Sequence, residues 1–274
     1  MIYSSFLISL SLGLCLSSEF TLRKFSKMKL QKLYSYVRRA LDDYQMIREN
    51  DKIAVGISGG KDSLALLYAL AGIRKFYPRK FDILAITVDL GFPHMDFSPV
   101  RMLCEDLHVE YHIVHTQIAQ IVFQSRQDAS CCSLCAKMRK GALVDYAKQL
   151  NCTGIAYAHH MDDVIETAFM SMLYEGRFYC FPPVTYFEDR QMNIIRPLIY
   201  VSEAEILGFK NKYQLPVVKN ECPADGNTKR EYVKQRLRDI QRDYCDAKKH
   251  IFHAVINGNI EGWSKYNGKE SSIL

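Results

Sequence analysis

Lys52-Ile-Ala-Val-Gly-Ile-Ser-Gly-Gly-Lys-Asp-Ser-Leu-Ala-Leu-Leu-Tyr-Ala-Leu70 is an apolar run broken by a small polar loop and resumed as an apolar helix. Ile53 to Ile57 is short, β-branched and apolar, the pattern of a strand buried on both faces of a parallel sheet. Gly59 and Gly60 lack the Cβ that would keep a backbone away from a ligand, so consecutive N–H groups can converge on an anion. Lys61 adds a point charge. From Leu64 onward, Leu64, Leu67, Tyr68 and Ala71 recur at helical spacing. The loop therefore sits at a helix N-terminus, where exposed N–H groups and the helix dipole favour phosphate. The stretch reads as a nucleotide site.

An ordinary Walker A loop is excluded, because Val55 stands where its first glycine belongs and Asp62 where Ser or Thr should follow the lysine. Ser58-Gly-Gly-Lys-Asp-Ser63 instead resembles the PP-loop of ATP pyrophosphatases. That resemblance implies a cradle for pyrophosphate while the α-phosphoryl group of ATP passes to a substrate oxygen.

The 274 residues, 48% hydrophobic and 24% charged, are enough for one α/β core with an appendage and are not disordered in composition. Lys and Arg exceed Asp and Glu by 36 to 30, a net +6 that permits a phosphate-rich partner without demanding one. Nine cysteines is an odd count, and Cys131, Cys132, Cys135, Cys152 and Cys180 fall within residues 130–180. A large chain with a Cys-x-x-Cys points to reduced thiols with a metal or redox role rather than a disulfide scaffold.

Residues 1–27 are apolar and Ser-rich with no basic residue before Leu7–Cys15, a poor signal peptide and too interrupted for a membrane span. They are read as a leader outside the native protein, with translation beginning at Met28. A cytoplasmic protein without a membrane segment is expected. An amphipathic helix follows over 30–47. Strands are expected at 53–57, 81–89, 110–115 and 153–158, alternating with helices at 64–71, 98–107, 134–150 and 164–174. This alternation predicts an α/β fold with a doubly wound parallel sheet. Beyond Gly176 the pattern predicts a rigid turn at 181–184 and a strand over 191–198. A helix over 202–213 with Ser202 and Glu205 as a capping box comes next, then a strand-like 215–219 and a basic helix over 228–244. From 248 a short helix that frays is expected. The domains expected are an N-terminal helix (28–50), the nucleotide domain (51–200), a C-terminal part (201–245) and a tail (246–274).

Asp89 ends the second strand beside the first loop, where α/β sheets bind ligands; it is a candidate ribose or adenine neighbour or a turn cap. His160, Asp162 and Asp163 open a helix near the same crevice, as caps or as catalytic or metal-binding groups. Cys132-Ser-Leu-Cys135 opens another helix, whose N-terminus favours thiolates. Cys222, in a turn-rich loop, is the third candidate ligand. Three thiolates suit a 4Fe-4S cluster with one open iron, or zinc completed by His or water. Cys15, Cys104, Cys152, Cys180 and Cys245 stand alone and are expected to be buried.

Ser58–Ser63, Cys132-Ser-Leu-Cys-Ala-Lys-Met-Arg-Lys-Gly141, His159-His-Met-Asp-Asp163, Met172-Leu-Tyr-Glu-Gly176, Ile195-Arg-Pro-Leu198 and the Cys222 loop occur in the order seen in the tRNA 2-thiocytidine synthetase family. Over residues 28–240 the chain resembles that family. It departs from the best-known members in lacking a second Cys-x-x-Cys after Cys222, which marks a divergent subgroup. The PP-loop core alone is shared with tRNA-Ile lysidine synthetases and uridine-thiolating enzymes.

The resemblance implies an adenine nucleotide alpha hydrolase-like domain with a C-terminal extension. It also implies an ATP-dependent sulfurtransferase that adenylates a pyrimidine 2-carbonyl, most simply cytidine in the anticodon loop of tRNA, and then delivers sulfur with a 4Fe-4S cluster. Ser58, Gly59, Gly60 and Ser63 would hold pyrophosphate, Lys61 would offset its charge, and Asp62 would hold Mg²⁺ or assist proton removal, the alternative for Asp62 being a helix N-cap. Cys132, Cys135 and Cys222 would ligate the cluster. Lys137, Arg139, Lys140, Lys229 and Arg230, with Lys234, Arg236, Arg238 and the strand-end Arg196, form a candidate tRNA surface. A sulfur donor such as a cysteine desulfurase is expected, and a homodimer is the assembly to test. The competing classes are an iron–sulfur redox carrier, which needs no PP-loop, and a nucleotide-binding module, which needs no turnover.

Overall fold

The computed structural model describes residues 29–125, 131–218, 222 and 229–266, with the backbone alone for 123–125 and 131. The expected leader (1–27), Cys15 and the Cys222 loop other than Cys222 itself lie outside the described residues.

The described elements, in chain order, are α1 (Leu30–Asp43), β1 (Asp51–Gly56), α2 (Lys61–Ile73), β2 (Phe81–Asp89), α3 (Ser98–Asp106), β3 (Glu110–His115), α4 (Ile118–Ser125) and α5 (Cys131–Gln149). They continue with β4 (Gly154–Ala156), α6 (Met161–Glu175), β5 (Val184–Phe187), β6 (Met192–Ile195), α7 (Glu203–Tyr213), α8 (Lys229–Asp243) and α9 (Ala247–Asn257). A short 3-10 turn, Glu188–Arg190, joins β5 to β6.

One sheet runs in the order β3-β2-β1-β4-β6-β5. β1 pairs in parallel with β2 and β4, and Ile53, Val55 and Ala54 of β1 are fully buried, as a strand covered on both faces requires. From β1 the chain builds outward to β2 and β3, then returns to add β4 and β6 on the other side. The strand order reverses between β1 and β4, and a crevice opens outside their carboxyl ends. Asp51 pins this junction from below: its carboxylate accepts hydrogen bonds from the Arg48 N–H (2.6 Å) and the Thr153 hydroxyl (2.7 Å).

One apolar cluster joins the sheet to α1, α2, α3, α6 and α7. The other packs α4 and α5 on the opposite face, around Ile86, Val144 and Ile155. The doubly wound arrangement is as expected, with a difference at one edge. β5, a strand not expected from the sequence, follows the turn at 181–183 and pairs antiparallel with β6 as a hairpin.

Other local expectations shift for tertiary reasons. α4 was hidden because its eight residues show too little periodicity to separate from the polar stretch after it. Residues 215–218 form no strand: the Val217 N–H donates back to the Leu215 carbonyl (2.9 Å) in a tight turn, and the Val218 N–H donates to the Gly59 carbonyl (3.0 Å). The short helix expected from 248 forms as α9, and the chain is described on to 266; the end of the tail, 267–274, lies outside the described residues. α9 packs on α6 and α8, and Trp263 is 1% exposed, edge-on to Tyr44 and Phe252. A large aromatic ring removes enough apolar surface to hold a segment whose local sequence is weakly helical. Cys104, Cys152 and Cys180 are buried as expected, whereas Cys245 is exposed.

Candidate active site at the sheet switch point

The loop after β1 is held by its own serines. The Ser58 N–H donates to Ser63 Oγ (3.2 Å), Ser63 Oγ donates to the Gly60 carbonyl (2.9 Å), and the Gly60 N–H donates to Ser58 Oγ (3.3 Å). Gly59 has φ +81°, and a Cβ there would come 3.0 Å from Cβ of Val218, so the loop needs glycine on both counts. Gly60 is the N-cap of α2 and supplies no side-chain cap, so the N-terminus of α2 faces the crevice with Asp62 as the one acidic side chain of its first turn.

Lys61 lies between two carboxylates. Its Nζ is 3.0 Å from Asp62 and 3.3 Å from Glu203 at the start of α7. Burial opposes the charge, but Asp62 and Glu203 outweigh it and hold the ammonium above its ordinary value. Burial would likewise raise the Glu203 carboxyl; Lys234, 2.9 Å away, and Lys61 reverse that and bring it to about 2.

β4 delivers the opposite wall. His160 caps α6: its ring accepts from the Asp163 N–H (3.4 Å), and Asp163 accepts from the His160 N–H (2.9 Å). His160 Nε2 also lies 3.7 Å from Asp62, which links the two loops across the switch point. His159 is half-buried against Phe181, and the desolvation of its ring lowers it to about 4, so it is neutral at pH 7. Asp162 turns away from the crevice. It is 4% exposed, accepts from the Glu203 N–H (2.7 Å) and pairs with Lys248 of α9 (2.7 Å), so it caps α7.

Asp89 closes a turn at the end of β2, accepting from the Gly91 N–H (3.0 Å) and meeting His115 Nδ1 (3.0 Å). It reaches the crevice edge already engaged.

The expected RNA surface divides. Lys137, Arg139 and Lys140 are exposed on α5 and make no ion pair with a carboxylate among the described residues. Lys229 is exposed and lies over the Tyr174 ring. Arg230 turns inward to Glu166 (3.2 Å) and Asp163 (3.7 Å), and Lys234 turns inward to Glu203. Arg236 and Arg238 pair with Asp239 and Glu231. Arg196 is no surface residue: it is 8% exposed, donates to the Pro182 carbonyl (2.7 Å) and Thr185 Oγ1 (3.0 Å), and stacks on Phe181. A strand end before proline was buried by the β5 hairpin that closes over it. Its Nε, with Tyr157 Oη and His159 Nδ1, is buried with no hydrogen-bond partner among the described residues.

Cys132 is exposed in the first turn of α5, and Cys135 and Cys222 are half-buried. α5 precedes the parallel strand β4, so its N-terminus lies at the carboxyl end of the sheet, on the PP-loop side. Leu143 packs against Gly56 at the end of β1. The eight residues from Cys135 to Leu143 correspond to about 12 Å of helix, so the thiols stand past the sheet edge. The donor chemistry, three soft thiols, suits a cluster or zinc. Among the described residues no group of three Cys, His, Asp or Glu side chains is found that could hold a metal ion.

Sequence reasoning missed Glu203 as a neighbour of Lys61, and Lys248. Glu203 reads locally as a helix first-turn acid, and nothing near it announces a lysine from β1's loop.

Residues 26–240 match the family model described as PP-loop domain. Shewanella halifaxensis has a tRNA-cytidine(32) 2-sulfurtransferase 37% identical to this chain over 249 residues, 88% of this chain and 79% of the relative. Those of Saccharophagus degradans (35%; 84% and 76% covered) and Geobacter sulfurreducens (32%; 85% and 91% covered) are similar along comparable lengths. Among solved structures, the U34-tRNA thiolase NcsA of Methanococcus maripaludis, with its 4Fe-4S cluster, superposes with a TM-score of 0.67. It is 25% identical, with 85% of this chain and 80% of that one covered.

Proposed function

Since the chain belongs to the PP-loop family, in company with tRNA-cytidine(32) 2-sulfurtransferases, we propose that it thiolates cytidine in tRNA at the expense of ATP. The observation that carries this reading is the shared edge: the uncapped N-terminus of α2 and the thiol-bearing N-terminus of α5 open on the same side of the sheet.

The base's 2-carbonyl carbon resists substitution because its oxygen is a poor leaving group. Attack of that oxygen on the α-phosphorus of ATP breaks the α–β bond, and pyrophosphate departs into the Ser58–Ser63 loop. Sulfur at the sulfide level then bonds to the base carbon, and AMP leaves with the original oxygen. Loop N–H groups, Ser58, Ser63 and Lys61 stabilise the charge that builds on pyrophosphate. Asp62, freed from Lys61 by the phosphates, is the proposed Mg²⁺ ligand, with Asp163 and His160 shaping the opposite wall. Asp162 acts through α7 rather than on phosphate, and Asp89 borders the nucleoside.

Cys132, Cys135 and Cys222 are the residues that would hold a 4Fe-4S cluster. When bound, such a cluster supplies an open iron at which sulfur can be kept reduced and reactive. Lys137, Arg139 and Lys140 contact the tRNA backbone, and a cysteine desulfurase is the proposed sulfur source. No described helix is long and apolar enough to cross a membrane, and a cytoplasmic site of action is proposed.

Nucleoside mass spectrometry of tRNA from a deletion strain tests the reading. Loss of 2-thiocytidine, restored by the wild-type gene, is expected; a normal thionucleoside profile defeats it.

A further inference from the structure

A backbone hydrogen bond and a chain of ion pairs tie the PP-loop region to the two described flanks of the Cys222 loop, Val218 before it and α8 after it. On the way in, Val218 hydrogen-bonds the Gly59 carbonyl (3.0 Å). On the way out, Arg230 reaches Asp163 and Glu166, and Lys234 reaches Glu203, both from α8. Glu203 in turn holds Lys61 (3.3 Å), and Asp162 fixes Glu203's backbone by accepting its N–H (2.7 Å). One carboxylate is thus shared between the lysine of the nucleotide loop and a lysine of the helix that follows Cys222.

A phosphate entering the loop must compete with Asp62 and Glu203 for Lys61, because one ammonium cannot satisfy three close anions. Polyphosphate carries more charge than either carboxylate and has the α2 N-terminus behind it. Glu203 released from Lys61 still has Lys234, already 2.9 Å away, so its charge is never left unpaired. We infer that Glu203 is a positioning residue that couples ATP loading to α8, the helix that follows Cys222, letting go of Lys61 and keeping Lys234 when phosphates fill the loop. The inference rests on the reading of Ser58–Ser63 as an ATP site.

The test uses the full chain and Mg²⁺ with α,β-methylene ATP, which lacks the bond that would be split. Affinity is measured by calorimetry for wild type, Glu203→Gln, Lys234→Gln and the double variant. Amide hydrogen exchange is followed over 229–243. Removing the competing carboxylate should tighten binding roughly threefold, and removing Glu203's other partner should weaken it by a similar factor. A uniform electrostatic field would give the same two signs, so the cycle decides: Lys234→Gln should lose its effect in the Glu203→Gln background. Nucleotide should also slow exchange in α8 of wild type but not of Glu203→Gln.

Additive affinities, or α8 exchange indifferent to nucleotide in wild type, overturn the coupling while leaving the ATP site intact. Failure of wild type to bind the nucleotide removes both. Should Glu203→Gln not fold, exchange in wild-type α8 with and without nucleotide still separates coupling from its absence.

Discussion

The N-termini of α2 and α5 open on the same edge of the sheet but are built on different principles. The first is closed by short-range bonds: Ser58, Gly60 and Ser63 hold one another within six residues, and Gly59 seats Val218. The second projects past the sheet with Cys132 exposed, and Cys222, the third thiol proposed to join it, lies far along the chain. Phosphate recognition needs backbone N–H groups, which one strand–turn–helix can preorganise alone. Gathering three thiols needs several segments, so that half of the site depends on how the C-terminal helices dock.

Cys132→Ser or Cys135→Ser should abolish 2-thiocytidine in tRNA while nucleotide affinity stays within about twofold of wild type. The contrast between the two ends breaks if ATP binding collapses as well. Lys61→Ala should lower tRNA-dependent pyrophosphate release by roughly 10²–10³. The same change should leave the metal and sulfide content of anaerobically purified protein unaltered.

The docking of the C-terminal helices can be weakened separately. Asp162→Ala strands Lys248 in a nearly closed environment and should cost about 3 kcal/mol in urea unfolding. Acid acts through the same region. The Glu203 carboxyl falls from 4.5 to about 2 on folding, so it contributes stability fully present above 4.5 and lost as pH falls through about 2. That contribution is on the order of 2–3 kcal/mol, and Glu203→Gln should flatten the decline between those two pH values. The smallest effect is expected at the RNA surface: Arg139→Ala or Lys140→Ala should each weaken tRNA binding a few-fold and reduce its salt slope by about 1.

The strands β1 and β2, the helix after the PP-loop, and the Ser202–Glu205 capping box follow their local patterns closely, because each is fixed by burial or by bonds a few residues apart. The resemblance to the thiocytidine-forming family, carried by short motifs in order, is likewise borne out by relatives of 32–37% identity. Arg196 shows where this stops. As a strand-end arginine it resembled a phosphate ligand; the β5 hairpin, with no strong signal of its own, buried it. Lys234 likewise belonged to a basic helical run that reads as an outer surface, yet it faces Glu203.

The sequence by itself determined the nucleotide loop, because the conformation of Ser58–Ser63 is set by glycine freedom and neighbouring hydroxyls. It also determined the parallel core, because doubly buried strands announce themselves in unbroken apolar runs. Tertiary structure alone decided which charges meet across the chain. Lys61 with Glu203, Asp162 with Lys248 and Arg230 with Asp163 are pairs between elements remote in sequence. Such pairs depend on how helices pack over the sheet, and packing fixes their distances to within ångströms while leaving no local spacing to read.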